Sequence, residues 1–333
     1  MPDEKSEVLE VAQKDENIPA SSPFAKKIST STRVREAAIK YFFLINSTTA
    51  LIFIALIFIF LFKEGIQALD HIGLADFVYQ EQVTENGGET VYQWYPTSEN
   101  PRYSLIPLIL GTLLTSIPAT IISTIFGIGA GIYLAEIAHG KAKEILKPVI
   151  ELFAGIPTVV LGFFMLVVGA TFFQDLLDPP NRLNAFLAAL GLSFVIIPII
   201  ASLTEDALRS IPNEVRMASY GLGATRWQTI KRVIMPAAVS GISASVILGF
   251  GRAIGETMIV LMAAGNAANL TSNIFRSVRT MTATIAAEMG EVSHQSDHYF
   301  ALFFIGIILF TITFILNLIA EIIINRMRKK INF

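Results

Sequence analysis

The sequence predicts an all-α integral membrane protein with six transmembrane helices, and three observations predict it. Hydrophobic residues make up 53% of the chain and charged residues only 16%, a balance far from that of a soluble domain. Six apolar stretches, at about 41–62, 105–137, 149–173, 183–202, 237–264 and 299–324, reach the ~20 residues that cross a bilayer. Positive charge is also asymmetric. With both termini on one side, seventeen Lys and Arg residues flank that side against five (Lys63, Arg102, Arg182, Arg276 and Arg279) on the other. The positive-inside rule then puts both termini in the cytoplasm.

In chain order, residues 1–37 are polar and mixed in charge, with the composition of a disordered cytoplasmic tail. The next segment, 38–104, holds the first span and an external loop. That span is too long and too far from residue 1 for a signal peptide, so it is read as retained. In the loop, Tyr92, Trp94 and Tyr95 suit a membrane interface; docking a partner is the other reading. Residues 105–325 form the core, with five more spans. Pro107 and Pro118 suggest a kink or lead-in to the second span, and Gly127, Gly129 and Gly131 would let a neighbour approach closely. The third span contains Gly155-Ile156-Pro157, read as a simple kink or as a cavity-lining break. Pro198 falls near the end of the fourth. The stretch 269–298 reads as a polar loop in which His294 and His298 are solvated. Residues 326–333 make a basic cytoplasmic C-terminus.

Two adjoining stretches carry the functional signal. In 203–236, Pro212 can open a helix that runs to Tyr220, and Gly221 and Gly223 supply a break. Thr225 and Gln228 have capping-box spacing, so a second helix can begin there and run to Met235, with Pro236 marking its end. Helix, glycine turn, helix then lies between two spans. The apolar stretch that follows contains Arg252 and Glu256. A charge at the centre of a membrane helix costs about 2.5–3.5 kcal/mol on insertion scales. Four residues apart, the two share a helix face and can pair. A structural ion pair is one reading. The other is an anion pathway, since a guanidinium fork suits phosphate oxygens and a carboxylate can accept a hydrogen bond from a protonated phosphate oxygen, which sulfate lacks.

Composition excludes several classes. There is no cysteine and the net charge is −2, which removes thiol chemistry and gives no sign of a nucleic-acid partner. No phosphate-binding Gly-x-x-x-x-Gly-Lys-Ser/Thr loop is present, nor any metal-ligand or nucleophile–base pattern. The chain is therefore read as a non-enzyme without a cofactor of its own.

The loop resembles the EAA loop of ABC-importer permeases, whose pattern is Glu-Ala-Ala, three residues, Gly, nine residues, Ile-x-Leu-Pro. Met217-Ala218-Ser219 precede Gly223 and Ala224, and Val233-Ile234-Met235-Pro236 complete the spacing. Met217 stands where the family has glutamate, which puts the role of that carboxylate in doubt. The stretches Arg252–Asn266, Glu151–Phe164 and Arg279–Glu288 are similar to the PstC-type membrane subunits of bacterial phosphate importers, and the likeness covers 105–325. It implies a type I ABC importer permease in the bacterial inner membrane. Arg252, Glu256 and Thr257 would lie on the substrate pathway. Met217, Ala218, Ser219, Gly223, Ala224, Val233 and Pro236 would couple to an ATPase. The implied partners are a second, PstA-like permease, a PstB-like ATPase dimer that uses the ATP, and a PstS-like phosphate-binding protein outside. A permease for another oxyanion, and a secondary transporter or channel working alone, remain open.

Overall fold

A computed structural model describes residues 30–84 and 87–331. Up to residue 29 the expected tail lies outside the described residues, and residues 30–37 already belong to helix α1, Thr30–His71. The chain divides into two units, Met1–Ile59 and Phe60–Phe333. In the first, side chains 35–57 along α1 are all exposed, and their apolar character all round suits lipid.

Among the described residues, five helices are long and apolar enough to cross a membrane: Arg35–His71, Ile106–Ile137, Thr158–Leu177, Ala185–Arg209 and Asp297–Arg326. A sixth crossing arises where Arg226–Ala237 and Val239–Gly255, bent by 69°, count as one. After α1 the second unit runs through hairpin β1 (Gln80–Thr84) and β2 (Gly87–Val91), with Gln80 opposite Val91. A second short pair, β3 (Trp94–Tyr95) and β4 (Arg102–Tyr103), sets Trp94 opposite Tyr103. Then come α2 (Ile106–Ile137, its last turn π-wound), α3 (Lys141–Ala154) and α4 (Thr158–Leu177). They are followed by α5 (Ala185–Arg209), α6 (Asn213–Gly221), α7 (Arg226–Ala237), α8 (Val239–Gly255), α9 (Met258–Ala263), α10 (Met281–Glu288) and α11 (Asp297–Ile331).

Small residues set the packing, because apolar burial gives little drive between helices in lipid. A Cβ on Gly127 would lie 2.8 Å from Ile200 of α5, and one on Gly131 would lie 2.7 Å from Thr204. Gly129 would meet nothing within 4 Å; two residues away on a helix, it points elsewhere. Gly249 of α8 approaches Ile196 and Ile200 in the same manner. The central core, with Leu192, Ile196, Met165 and Ile259, lies where α2, α4, α5 and α9 meet.

Several expectations are corrected. The third span starts at Thr158, with Pro157 at its N-cap, so the proline opens the helix where its missing N–H is harmless. The basic stretch before it, with Lys141, Lys143 and Lys147, lies in α3, which buries no residue. The loop 269–298 contains α10, whose residues Met281 to Thr284 are buried. The readings of Trp94 and His298 also change, while His294 and Tyr95 are exposed. Trp94 has no exposed surface and donates from Nε1 to Glu288 Oε2 at 2.9 Å, while His298 sits 2.9 Å from the same oxygen. Trp94 packs with Phe77, Tyr103 and Phe300 in the core of a cap at one end of the bundle. Burial, and Asp297 to a lesser degree, pushes the Tyr103 phenol up from its ordinary 10.0, so the cap core stays neutral there.

Replacing Gly131 with leucine forces α2 from α5 and should destabilise the protein by about 2 kcal/mol. Gly129→Leu should leave the melting temperature in detergent near that of the parent. Equal shifts for the two would refute the close-packed assignment.

Candidate functional site

The loop at the other end of the bundle is built from local signals. Pro212 precedes α6, and Glu214 lies in its first turn, favourably placed against the helix dipole. The chain turns at Gly223, whose φ of +81° lies in the left-handed region that glycine occupies without strain. The capping box then forms: Gln228 N donates to Thr225 Oγ1 at 3.3 Å, and Thr225 N donates to Gln228 Oε1 at 2.8 Å. It opens α7, which continues through a π turn, Ile230–Ile234. The bend follows Ala237, one residue beyond Pro236.

Long-range contacts fix this loop to the bundle. Arg216 Nη2 donates to Glu136 Oε1 at 2.7 Å and to the Leu208 carbonyl at 2.7 Å, and its Nη1 donates to the Ile211 carbonyl at 2.5 Å. Glu136 lies in the last turn of α2 with only 6% of its side chain exposed. Arg226 donates to the Glu136 carbonyl, so one residue of α2 holds both α6 and α7. Between those helices, Ser219 and Thr229 share a buried hydrogen bond of 2.8 Å between their hydroxyls. A second brace lies nearby, where buried Glu205 of α5 pairs with Arg209 at 2.7 Å and Lys147 of α3 at 3.4 Å.

With its frame held, the loop presents apolar side chains outward. Leu222 is 90% exposed, Met217 67% and Trp227 61%. Ala218, Gly223 and Pro236 are exposed as well, Ala224 and Val233 are half-buried, and Ser219 is buried. The motif residues thus divide into an outward face and one internal tie. Sequence reasoning missed Glu136, Arg216, Leu222 and Trp227. A carboxylate at the end of an apolar run and a leucine between two glycines were the available signals.

The second part of the site is a break in the apolar stretch 237–264. Helix α8 ends at Gly255, and Glu256 is extended, with φ −71° and ψ 136°. Its Oε1 accepts from Thr257 N and Met258 N, each at 3.1 Å, so the carboxylate satisfies donors at the start of α9. The Glu256 carbonyl accepts from Thr282 Oγ1 of α10 at 2.7 Å. Thr257 is half-buried beside it. The expected Arg252–Glu256 pair is not made, because the chain leaves the helix between them and the four-residue spacing no longer aligns the side chains. Arg252 is exposed on α8 and makes no hydrogen bond or ion pair among the described residues.

An apolar bundle with a broken span and a braced, apolar-tipped loop is the architecture of an integral membrane protein with a contact surface at one end. The family described as "Binding-protein-dependent transport system inner membrane component" matches residues 127–329, and the chain belongs to it. The probable ABC transporter permease protein YqgH of Bacillus subtilis is 36% identical over 237 residues, 71% of this chain and 77% of that one. The phosphate transport system permease protein PstC of Mesorhizobium japonicum is 33% identical over 257 residues, 71% and 77% of the two chains. Among solved structures, a bacterial ABC transporter for alginate import matches with a TM-score of 0.59 at 16% identity, over 88% of this chain and 99% of that one. An inward-facing MetNI methionine transporter matches at 0.55 and 18%, over 67% and 95%. At such identities the two structures bear on the fold alone.

Removing the Arg216 guanidinium leaves Glu136 buried and unpaired, which costs about 3 kcal/mol. Arg216→Gln should therefore speed proteolytic cleavage in 211–225 on the order of a hundredfold. Cleavage at the parent rate would show that the pair does not hold the loop.

Proposed function

We propose that the chain is the membrane-spanning permease subunit of an ATP-driven inorganic phosphate importer of the PstC type. The observation that carries this reading is Arg252, a guanidinium with no hydrogen bond or ion pair among the described residues, on the exposed face of a membrane helix one turn before a break in that helix. A bare charge there is unfavourable in lipid, so the face belongs against a water-filled path or a second subunit. Arginine offers phosphate a two-point contact. Relatives named as phosphate transport permeases support phosphate as the cargo.

In this reading Arg252 meets the anion in transit and a PstA-like permease completes the path on that side. Glu256 has two roles. Oε1 caps α9, while Oε2 makes no hydrogen bond among the described residues and can accept a hydrogen bond from the protonated oxygen of a monohydrogen or dihydrogen phosphate. Sulfate brings no such proton at neutral pH. The exposed Met217, Leu222 and Trp227 insert into a cleft on a PstB-like ATPase, which holds and hydrolyses the ATP. Glu136 and Arg216 make the loop rigid enough to carry that protein's motion into α2 and α5. Both termini and the loop then face the cytoplasm of a bacterial inner membrane, in keeping with the positive charge there. The cap faces outward, where a PstS-like protein delivers phosphate.

The test is radiolabelled phosphate uptake, with sulfate as control, in phosphate-starved cells lacking the chain and with it restored. Restored phosphate uptake with unchanged sulfate uptake is expected. Arg252→Gln should lower uptake at least about tenfold at normal expression, the loss of one charge-assisted contact; parental uptake would remove Arg252 from the path. Glu256→Gln keeps an acceptor for the α9 N–H groups yet should reduce selectivity over sulfate. Full selectivity in that variant would leave Glu256 with its capping role alone.

A further inference from the structure

Helix α10 is tied at both ends to parts of the molecule that are far apart in sequence. At its C-terminal end, Glu288 collects donors from three segments. Trp94 Nε1 of β3 donates to Oε2 at 2.9 Å, His298 Nε2 of α11 lies 2.9 Å from the same oxygen, and Arg279 Nη1 donates to Oε1 at 2.5 Å. Arg279 also donates from Nε to the Asn266 carbonyl at 3.0 Å, which fixes the segment following α9. One carboxylate therefore joins the cap hairpin, the loop before α10 and the start of the last span. A cleft of about 310 Å³ opens beside it, walled by Trp94, Tyr95, Glu288, Glu291 and His298 among others.

At its N-terminal end α10 enters the bundle. Thr280 caps it, accepting from Ala283 N at 3.2 Å. Met281 N donates to Thr112 Oγ1 of α2 at 3.1 Å, and Thr282 Oγ1 donates to the Glu256 carbonyl at 2.7 Å. That carbonyl lies where the fifth apolar segment leaves its helix, so no intrahelical partner continues the ladder there. The approach is close as well: a Cβ on Gly111 of α2 would collide with the Arg279 carbonyl oxygen.

We infer that α10 is a strut between the cap and the broken span, and that Thr282 and Glu288 are positioning residues for transport. The cleft beside Glu288 is where a substrate-delivery protein on the cap side can alter the Trp94–Glu288–His298 contacts. A shift of Glu288 moves α10, and Thr282 transmits that shift to Glu256 at the break. Neither residue touches the transported ion. The inference rests on the reading that the break lies on the path and that delivery occurs at the cap.

Two measurements test it. In the assembled complex, reconstituted with its delivery protein, the ratio of stimulated to unstimulated ATP hydrolysis is compared for Thr282→Val, Thr282→Ser and Glu288→Gln. Thr282→Val and Glu288→Gln should each lower the ratio about tenfold, within the usual span of coupling between sites. Thr282→Ser keeps the donor and should restore it. The double variant Thr282→Val with Glu288→Gln should lose no more than the worse single one, because both act through one strut. An unchanged ratio for Thr282→Val, a serine variant as impaired as the valine one, or additive losses would each overturn the proposal. The second measurement needs no cargo. The chain has no cysteine, so T257C can be labelled alone with a maleimide. Adding Glu288→Gln should change its labelling rate at least about fivefold, and an unchanged rate would overturn the strut. A complex whose wild type shows no stimulation by the phosphate-loaded delivery protein would instead count against phosphate as cargo, and the labelling result would still decide on the strut.

Discussion

A polypeptide that leaves the helix inside an apolar layer must find hydrogen-bond partners within the protein, because lipid offers none. The rest of this structure is arranged around one place where that happens. At Glu256 the ladder of α8 stops, the side chain turns back to cap the start of α9, and the carbonyl is taken by Thr282. Without Thr282 that carbonyl would be orphaned in a buried site, at a cost of about 1–3 kcal/mol. The break thus requires α10 to enter the bundle, and α10 in turn requires the cap that holds Glu288. A loop of ordinary polar character could not supply buried donors at that depth.

The opposite end obeys a related constraint. Glu136 is a carboxylate with little exposure at the end of a long apolar helix. Alone it would be costly to bury, and paired with Arg216 it becomes a fixed point. Both helices of the loop use that point, one through an ion pair and the other through the Glu136 carbonyl. The loop can therefore carry exposed leucine, methionine and tryptophan without collapsing onto the bundle to hide them. Exposed apolar clusters on a rigid frame mark a contact surface.

The parts of this fold legible in the sequence are those decided by near neighbours. Apolar runs gave the spans, Thr225 and Gln228 gave a helix start, and Gly223 gave the left-handed turn. Each depends on residues within a few positions. The tie of Arg216 to Glu136 joins residues 80 positions apart, that of Trp94 to Glu288 spans 194, and that of Thr282 to Glu256 spans 26. No local pattern encodes them. Trp94 beside two tyrosines read as interfacial because a tryptophan's burial depends on what folds over it. The Arg252–Glu256 pair was inferred from helical spacing that the chain does not keep. Gly129 is a different case: a helix places it off the face of Gly127 and Gly131, and periodicity alone would have separated them.

The failed pair is the most informative of these differences. Had Arg252 and Glu256 bonded to each other, both charges would be neutralised within the chain and neither would bear on an anion. Instead Glu256 is committed to backbone donors at the break, and Arg252 is left on an exposed helix face. A guanidinium on a membrane helix with no partner among the described residues is free to meet one from outside the chain. A second subunit alone could provide a carboxylate for it, but such a pair would again be static. In the proposed reading, a passing anion would satisfy the charge only while bound, which would let the same residue attract its cargo and release it as the surrounding helices move.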